Sequence, residues 1–92
     1  MKSYLISYDL GPPETYADYV SLGVYLRTFP QWAKPLLSVW FIKTPLTAGQ
    51  LRDEIRLRLD NNDKLLVIEV KEGSWGTSNV SKAVTDWMKI NL

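Results

Sequence analysis

The chain contains no cysteine and no histidine. The first absence excludes disulfides and thiolate metal centres. The second removes the usual general base, the usual zinc ligand and the usual charge switch near neutral pH. Any metal bound by such a chain is a hard cation held by oxygen, such as magnesium, calcium or manganese. An excess of one charge is also lacking, since 11 basic and 10 acidic residues leave a net charge of +1. That balance neither requires nor forbids nucleic acid as a partner. No apolar run approaches the roughly 20 residues of a membrane span. The start, Met1-Lys2-Ser3, enters a strand without a signal-peptide layout. A cytoplasmic protein is expected, with no membrane partner.

What is there suits one small domain spanning residues 1–92. Hydrophobic residues make up 46% of the chain, enough for an ordinary core. No internal repeat or low-complexity tract is visible.

Ser3 to Leu10 reads as a first strand. Tyr4, Ile6 and Tyr8 alternate with Leu5, Ser7 and Asp9, so the bulky set faces the helices and Asp9 ends the strand on the other face. Gly11-Pro12-Pro13-Glu14 is a break. Pro13 can open a helix, or Thr15 can cap one with Asp18 three residues on. Tyr19, Leu22, Leu26 and Phe29 share a helical stripe, flanked by Tyr16, Val20 and Val24. Gly23 weakens that helix or marks a close contact, and Pro30 ends it.

Two short strands follow, one near Trp32-Ala33-Lys34 at a sheet edge, because Pro35 is close, and one over Leu37 to Lys43. The latter is apolar on both faces. Thr47-Ala48-Gly49-Gln50 is a capping box opening a second helix, with Ala48, Leu51, Ile55 and Leu59 inward. Asp60-Asn61-Asn62-Asp63 reads as a polar turn rather than a calcium loop, for it lacks the glycine and terminal glutamate of an EF-hand. Lys64 to Lys71 is the last strand. A final helix is expected after a cap at Ser78 or Asn79, with Val80, Ala83, Val84, Trp87 and Met88 on one stripe.

The order β-α-β-β-α-β-α specifies an α+β fold, a ferredoxin-like βαββαβ sandwich with an additional C-terminal helix. Both helices of the βαββαβ unit cover one sheet face. The other is expected to expose Leu5, Leu65 and Val67, covered either by a second subunit or by the C-terminal helix.

Asp9 is the most suggestive chemical group. One carboxylate holds a divalent cation poorly, but two Asp9 side chains meeting across a dimer axis can hold magnesium, with water completing the shell, and support phosphodiester hydrolysis. Alternatively, Asp9 caps the turn at Gly11-Pro12. Arg52, Arg56 and Lys34 form a second candidate, a phosphate-contacting patch for nucleic acid, although Asp53 and Glu54 interleave as on any solvated helix. Of the four tryptophans, Trp87 is assigned to the core and Trp40 to core or interface. Trp75, in a loop, is the one free to stack on a base. Ser7, Ser38 and Ser74 have no histidine to activate them.

Ser3 to Leu10, Leu37-Ser38-Val39-Trp40, Thr47 to Ile55, Asn61 to Ile68 and Asp86-Trp87-Met88 together resemble the small CRISPR-associated spacer-acquisition proteins of the Cas-two family. A closer resemblance is to the small SinR-like proteins that share that fold. The resemblance implies a homodimer, a nucleic-acid or protein partner, and Asp9 as the magnesium-binding nuclease residue, with Tyr8 and Ser38 as neighbours. Some departures from that family's pattern are clear. The first helix opens with Glu14 and Asp18 and carries only Arg27, Leu36 replaces a common glutamine, and the tail reads as a helix rather than a strand. A non-catalytic dimeric interaction module, or a toxin ribonuclease of the VapD kind, fits the same fold.

Overall fold

The computed structural model describes residues 1–13 and 16–92, together with the backbone but not the side chain of Tyr16. Its elements are β1 (Lys2–Asp9), α1 (Tyr16–Leu26), β2 (Gln31–Leu36), β3 (Val39–Thr44), α2 (Ala48–Arg56), β4 (Lys64–Val70) and α3 (Lys82–Asn91). The four strands form one antiparallel sheet in the order β2-β3-β1-β4. This is the ferredoxin-like arrangement with a C-terminal helix added. The expected Thr15 cap, the Glu14 opening and the Tyr16 side chain lie outside the described residues.

The alternation of β1 works as read. Tyr4, Ile6 and Tyr8 are buried under α1 and α2 with Leu22, Leu26, Trp40, Ile42, Leu51 and Ile55. Trp40 is fully buried, and its Nε1–H donates to Tyr8 Oη at 3.0 Å. Tyr4 Oη donates to the Leu46 carbonyl at 2.7 Å, so both buried phenols keep a partner. On α1, Val20 and Val24 are exposed and Leu22 and Leu26 carry the contact. Gly23 marks a close approach to β3. A Cβ there would stand 3.5 Å from Trp40 Cζ2 and 3.0 Å from Arg27 Nη1, the far end of a side chain able to move. Gly23→Ala is therefore expected to raise stability by up to about 1 kcal/mol through helix propensity. Urea unfolding checks this, and a loss of stability would show that the guanidinium cannot yield.

The capping box on α2 is complete. Thr47 Oγ1 accepts from the Gln50 N–H at 3.1 Å, and Gln50 Oε1 accepts from the Thr47 N–H at 2.9 Å. The start of α3 differs from expectation. Its cap is Ser81, whose Oγ accepts from Val84 N–H, and Val80 lies outside the helix. Asn79 has φ 60°, the left-handed region that asparagine tolerates, so it serves the turn before the helix. Ala83 is exposed, and the buried stripe of α3 runs through Val84, Trp87 and Met88.

α3 covers part of the second sheet face, its β2–β3 side. Met88 packs with Ala33 and Phe41, bordered by Leu5, Val70, Val84, Trp87 and Leu92. The Trp87 and Phe41 rings stack with centroids 5.9 Å apart. Asn91 fastens the helix end, its carbonyl accepting from Ser3 Oγ at 3.2 Å and its Oδ1 accepting from Lys43 Nζ at 3.1 Å. Trp87 is thus half-buried between helix and sheet, while the large core tryptophan is Trp40.

One expected face is corrected. Leu65 and Val67 sit under the helices, against the main core. The open face receives Leu66 and Ile68, because β4 pairs with β1 in the register Leu5↔Ile68 and Ser7↔Leu66. α3 does not reach these two side chains, which are 56% and 50% exposed.

Burial raises the Tyr8 hydroxyl above the ordinary tyrosine value of 10.0, against the lowering effect of the Trp40 N–H bond. Tyr19 adds to the rise and Arg27 opposes it. The folded protein thus prefers the neutral phenol, and the unfolded chain loses its proton at lower pH. That contribution is complete below about pH 10 and is lost as pH climbs through the raised folded value. Unfolding free energy is expected to fall above about pH 10, less steeply in Tyr8→Phe. The same variant, measured at neutral pH, should lose about 1–3 kcal/mol because it leaves the Trp40 N–H without an acceptor. An unchanged alkaline slope would dismiss the role given to Tyr8.

Candidate functional site

Asp9 closes β1 on the open face and is solvent-exposed. Directly across the strand pair stands Lys64, the first residue of β4. A shallow depression of about 180 Å³ holds Asp9 with Ser7, Tyr8, Lys64, Leu65 and Leu66. The carboxylate makes no hydrogen bond or ion pair to the described residues. The turn-capping role open to Asp9 belongs instead to Asp63. Its Oδ1 accepts from the Gly11 N–H at 2.7 Å and its Oδ2 from the Asp60 N–H at 2.7 Å. Asn62 Nδ2 adds a bond to the Pro12 carbonyl at 2.6 Å. The 60–63 segment is thus a polar turn that clasps the exit of β1.

Asp9 therefore points outward, held by a strand on one side and a clasp on the other. Among the described residues, no group of three acidic side chains forms a ready metal site. Magnesium is commonly held by one or two carboxylates plus waters and phosphate oxygens, and a second copy would add a second carboxylate to the single Asp9. Tyr8 points away, into the core, and its neighbour Ser38 presents its backbone carbonyl, which accepts from the Tyr8 N–H at 3.3 Å. Ser7 and Lys64 are the polar neighbours on the Asp9 side. Lys64 was hidden in the sequence because only the β1–β4 register brings it opposite Asp9.

The expected patch of Arg52, Arg56 and Lys34 does not form as one unit. Arg52 and Arg56 share the exposed side of α2, both turned to Asp53, at 2.9 Å and 3.9 Å. They border a hollow with Leu59, Asp60, Asn61, Asp63 and Leu65. α2 packs on β4, whereas Lys34 lies on β2 at the opposite edge of the sheet. The α2 arginines are thus neutralised in part by their own helix. Lys34 keeps different company, with its Nζ 5.3 Å from the Trp40 ring centroid and beside Arg27. Trp75 is 38% exposed in the loop before α3.

Among the described residues, no helix is long and apolar enough to cross a membrane. No family model and no curated protein sequence matches the chain. A solved structure does, described as a hypothetical protein TT1823 from Thermus thermophilus. The two share 22% identity and a TM-score of 0.66 over 87% of this chain and 94% of that one. At that identity the likeness establishes the fold, which is the ferredoxin-like α+β sandwich described above.

Proposed function

We propose that this chain is a Cas-two-like homodimer that acts with nucleic acid, its two Asp9 carboxylates meeting where the copies join. One observation carries the reading. The outward-facing Asp9 borders a part of the open sheet face that α3 leaves uncovered, with Leu66 and Ile68 exposed on β4 and Leu36 exposed on β2. A second copy docking on that apolar margin buries Leu66 and Ile68 and brings two copies of Asp9 close to the joint. Lys64 then sets a cation beside each carboxylate, suited to a phosphate oxygen. Bound magnesium would neutralise charge on a phosphodiester and activate water for its cleavage.

The test has two parts. Size-exclusion chromatography with light scattering should show a dimer that Ile68→Glu converts to monomer with its fold intact. Magnesium-dependent cleavage of RNA or DNA should disappear in Asp9→Asn, by at least a hundredfold if the metal is held there. Cleavage that survives the substitution would move the chemistry elsewhere, and a wild-type monomer at every concentration would overturn the whole reading.

A second reading is favoured by the shortage of acids around Asp9. With no second carboxylate beside it among the described residues, the same dimer can serve as a non-catalytic interaction module. A dimer that Ile68→Glu breaks, showing no magnesium-dependent cleavage at all, is the result expected for it. RNA cleavage confined to single strands would instead favour a toxin ribonuclease of the VapD kind.

A further inference from the structure

On the helix side of the sheet, α1, β2 and the β2–β3 turn border a cleft of about 560 Å³, lined by Tyr19, Val20, Gly23, Arg27, Lys34 and Leu37 among others. That size falls in the range of about 300–1,000 Å³ typical of small-molecule sites. Two cations converge in it on one indole. The Arg27 guanidinium lies 5.1 Å from the Trp40 centroid and 5.4 Å from that of Trp32, and Lys34 Nζ lies 5.3 Å from Trp40. Among the described residues, neither cation has a salt bridge, whereas Arg52, Arg56 and Lys82 all reach an aspartate. Gly23 leaves free the space that Arg27 occupies, for a Cβ would stand 3.0 Å from its Nη1. The remaining wall is apolar and open, with Leu37 85% exposed and Val20 44% exposed.

A surface that gathers two uncompensated cations beside exposed aliphatic groups is complementary to an anion mounted on an apolar or planar body. A phosphate monoester suits it better than a carboxylate. It carries close to two charges at neutral pH, and the guanidinium fork matches its oxygens. We propose that this cleft binds a phosphate monoester on a planar or apolar body, with the phosphate between Arg27 and Lys34 and the body against Val20 and Leu37. The monoester belongs either to a free nucleotide or to the phosphorylated end of a nucleic-acid strand, since both present the same group. The site lies on the helix face of the sheet, opposite the face of Asp9, and stands whether or not Asp9 binds a metal.

Calorimetric titration of the full chain tests it, with adenosine monophosphate, adenosine and inorganic phosphate as probes. A short oligonucleotide is added with and without a terminal phosphate. Adenosine monophosphate is expected to bind saturably, and adenosine and inorganic phosphate each about tenfold or more weaker. Arg27→Gln and Lys34→Gln should each weaken binding by about tenfold or more, with melting temperature retained. Lys89→Gln, an exposed position on α3, should leave it unchanged. Tighter binding of the phosphorylated oligonucleotide assigns the site to strand ends, and tighter binding of the mononucleotide assigns it to a free nucleotide. Absence of saturable binding at millimolar probe, equal binding of adenosine, or undiminished binding by a folded Arg27→Gln/Lys34→Gln double variant would each overturn the proposal.

Discussion

Trp40→Ala is expected to lower the unfolding free energy by about 3–5 kcal/mol. The side chain is fully buried at the centre of the main core and packs on Trp32 with ring centroids 5.4 Å apart. Removing it opens a large cavity, strips Tyr8 Oη of its N–H donor, and leaves Arg27 and Lys34 without the ring they share. Domains of this size hold about 5–15 kcal/mol in total. With a urea dependence of about 1–3 kcal/mol per molar, the midpoint should drop by roughly 2 M. Trp40→Phe should lose clearly less, since it keeps most of the apolar volume. A loss under about 1 kcal/mol in the alanine variant would contradict the packing described.

The second large effect is expected at the clasp between β1 and the 60–63 turn. Asp63 takes two backbone N–H groups, one from each side of the junction, and bonds to an ionised acceptor contribute about 1.5–3 kcal/mol each before water replaces them. Because Asp63 is half-exposed, Asp63→Ala should cost about 2–3 kcal/mol in all. Gly11 forms the other jaw. A Cβ there would run into the Asn62 backbone carbonyl, which cannot swing aside as a side-chain end does. Gly11→Ala should therefore cost about 1–3 kcal/mol from overpacking. Thermal unfolding of both single variants and the double variant checks the idea. The double should lose less than the sum of the singles, since either change alone opens the same junction. Strict additivity would mean that the two jaws act separately.

Most of the fold was legible. Period-two alternation in β1 placed Tyr4, Ile6 and Tyr8 inward, the T-x-x-Q box placed α2, and two-sided apolarity in β3 announced that both sheet faces would be covered. The start of α3 was not, because the polar run offered Ser78 and Asn79 as caps, whereas Asn79 takes a left-handed backbone in the turn and Ser81 accepts from the Val84 N–H. In β4 each face carries large apolar residues, so alternation alone assigned no face, and register with β1 had to choose. The site was less legible than the fold. Asp9 stood out in the chain, but its neighbour Lys64 and the Asp63 bond that replaced its capping role are separated from it by more than fifty positions. Charge alone groups Lys34 with Arg52 and Arg56, but β2 carries it to the opposite edge of the sheet from α2. Its partner Arg27 shares the Trp40 ring through a contact that no local spacing reveals.

The placement of α3 limits how two copies can assemble. Sheets that stack face to face use their whole width. Here the helix occupies the β2–β3 side, where Met88 meets Ala33 and Phe41, so a second copy docking as proposed would meet the uncovered remainder, with Leu66 and Ile68 at its β4 margin. Such a joint would be off-centre, leaving out the part of the face that α3 occupies. An association confined to part of one face would be reversible and sensitive to protein concentration. A helix that completes the fold of each copy would thereby make the proposed pairing a matter of abundance, and anything that bound both copies at once would do much to fix it.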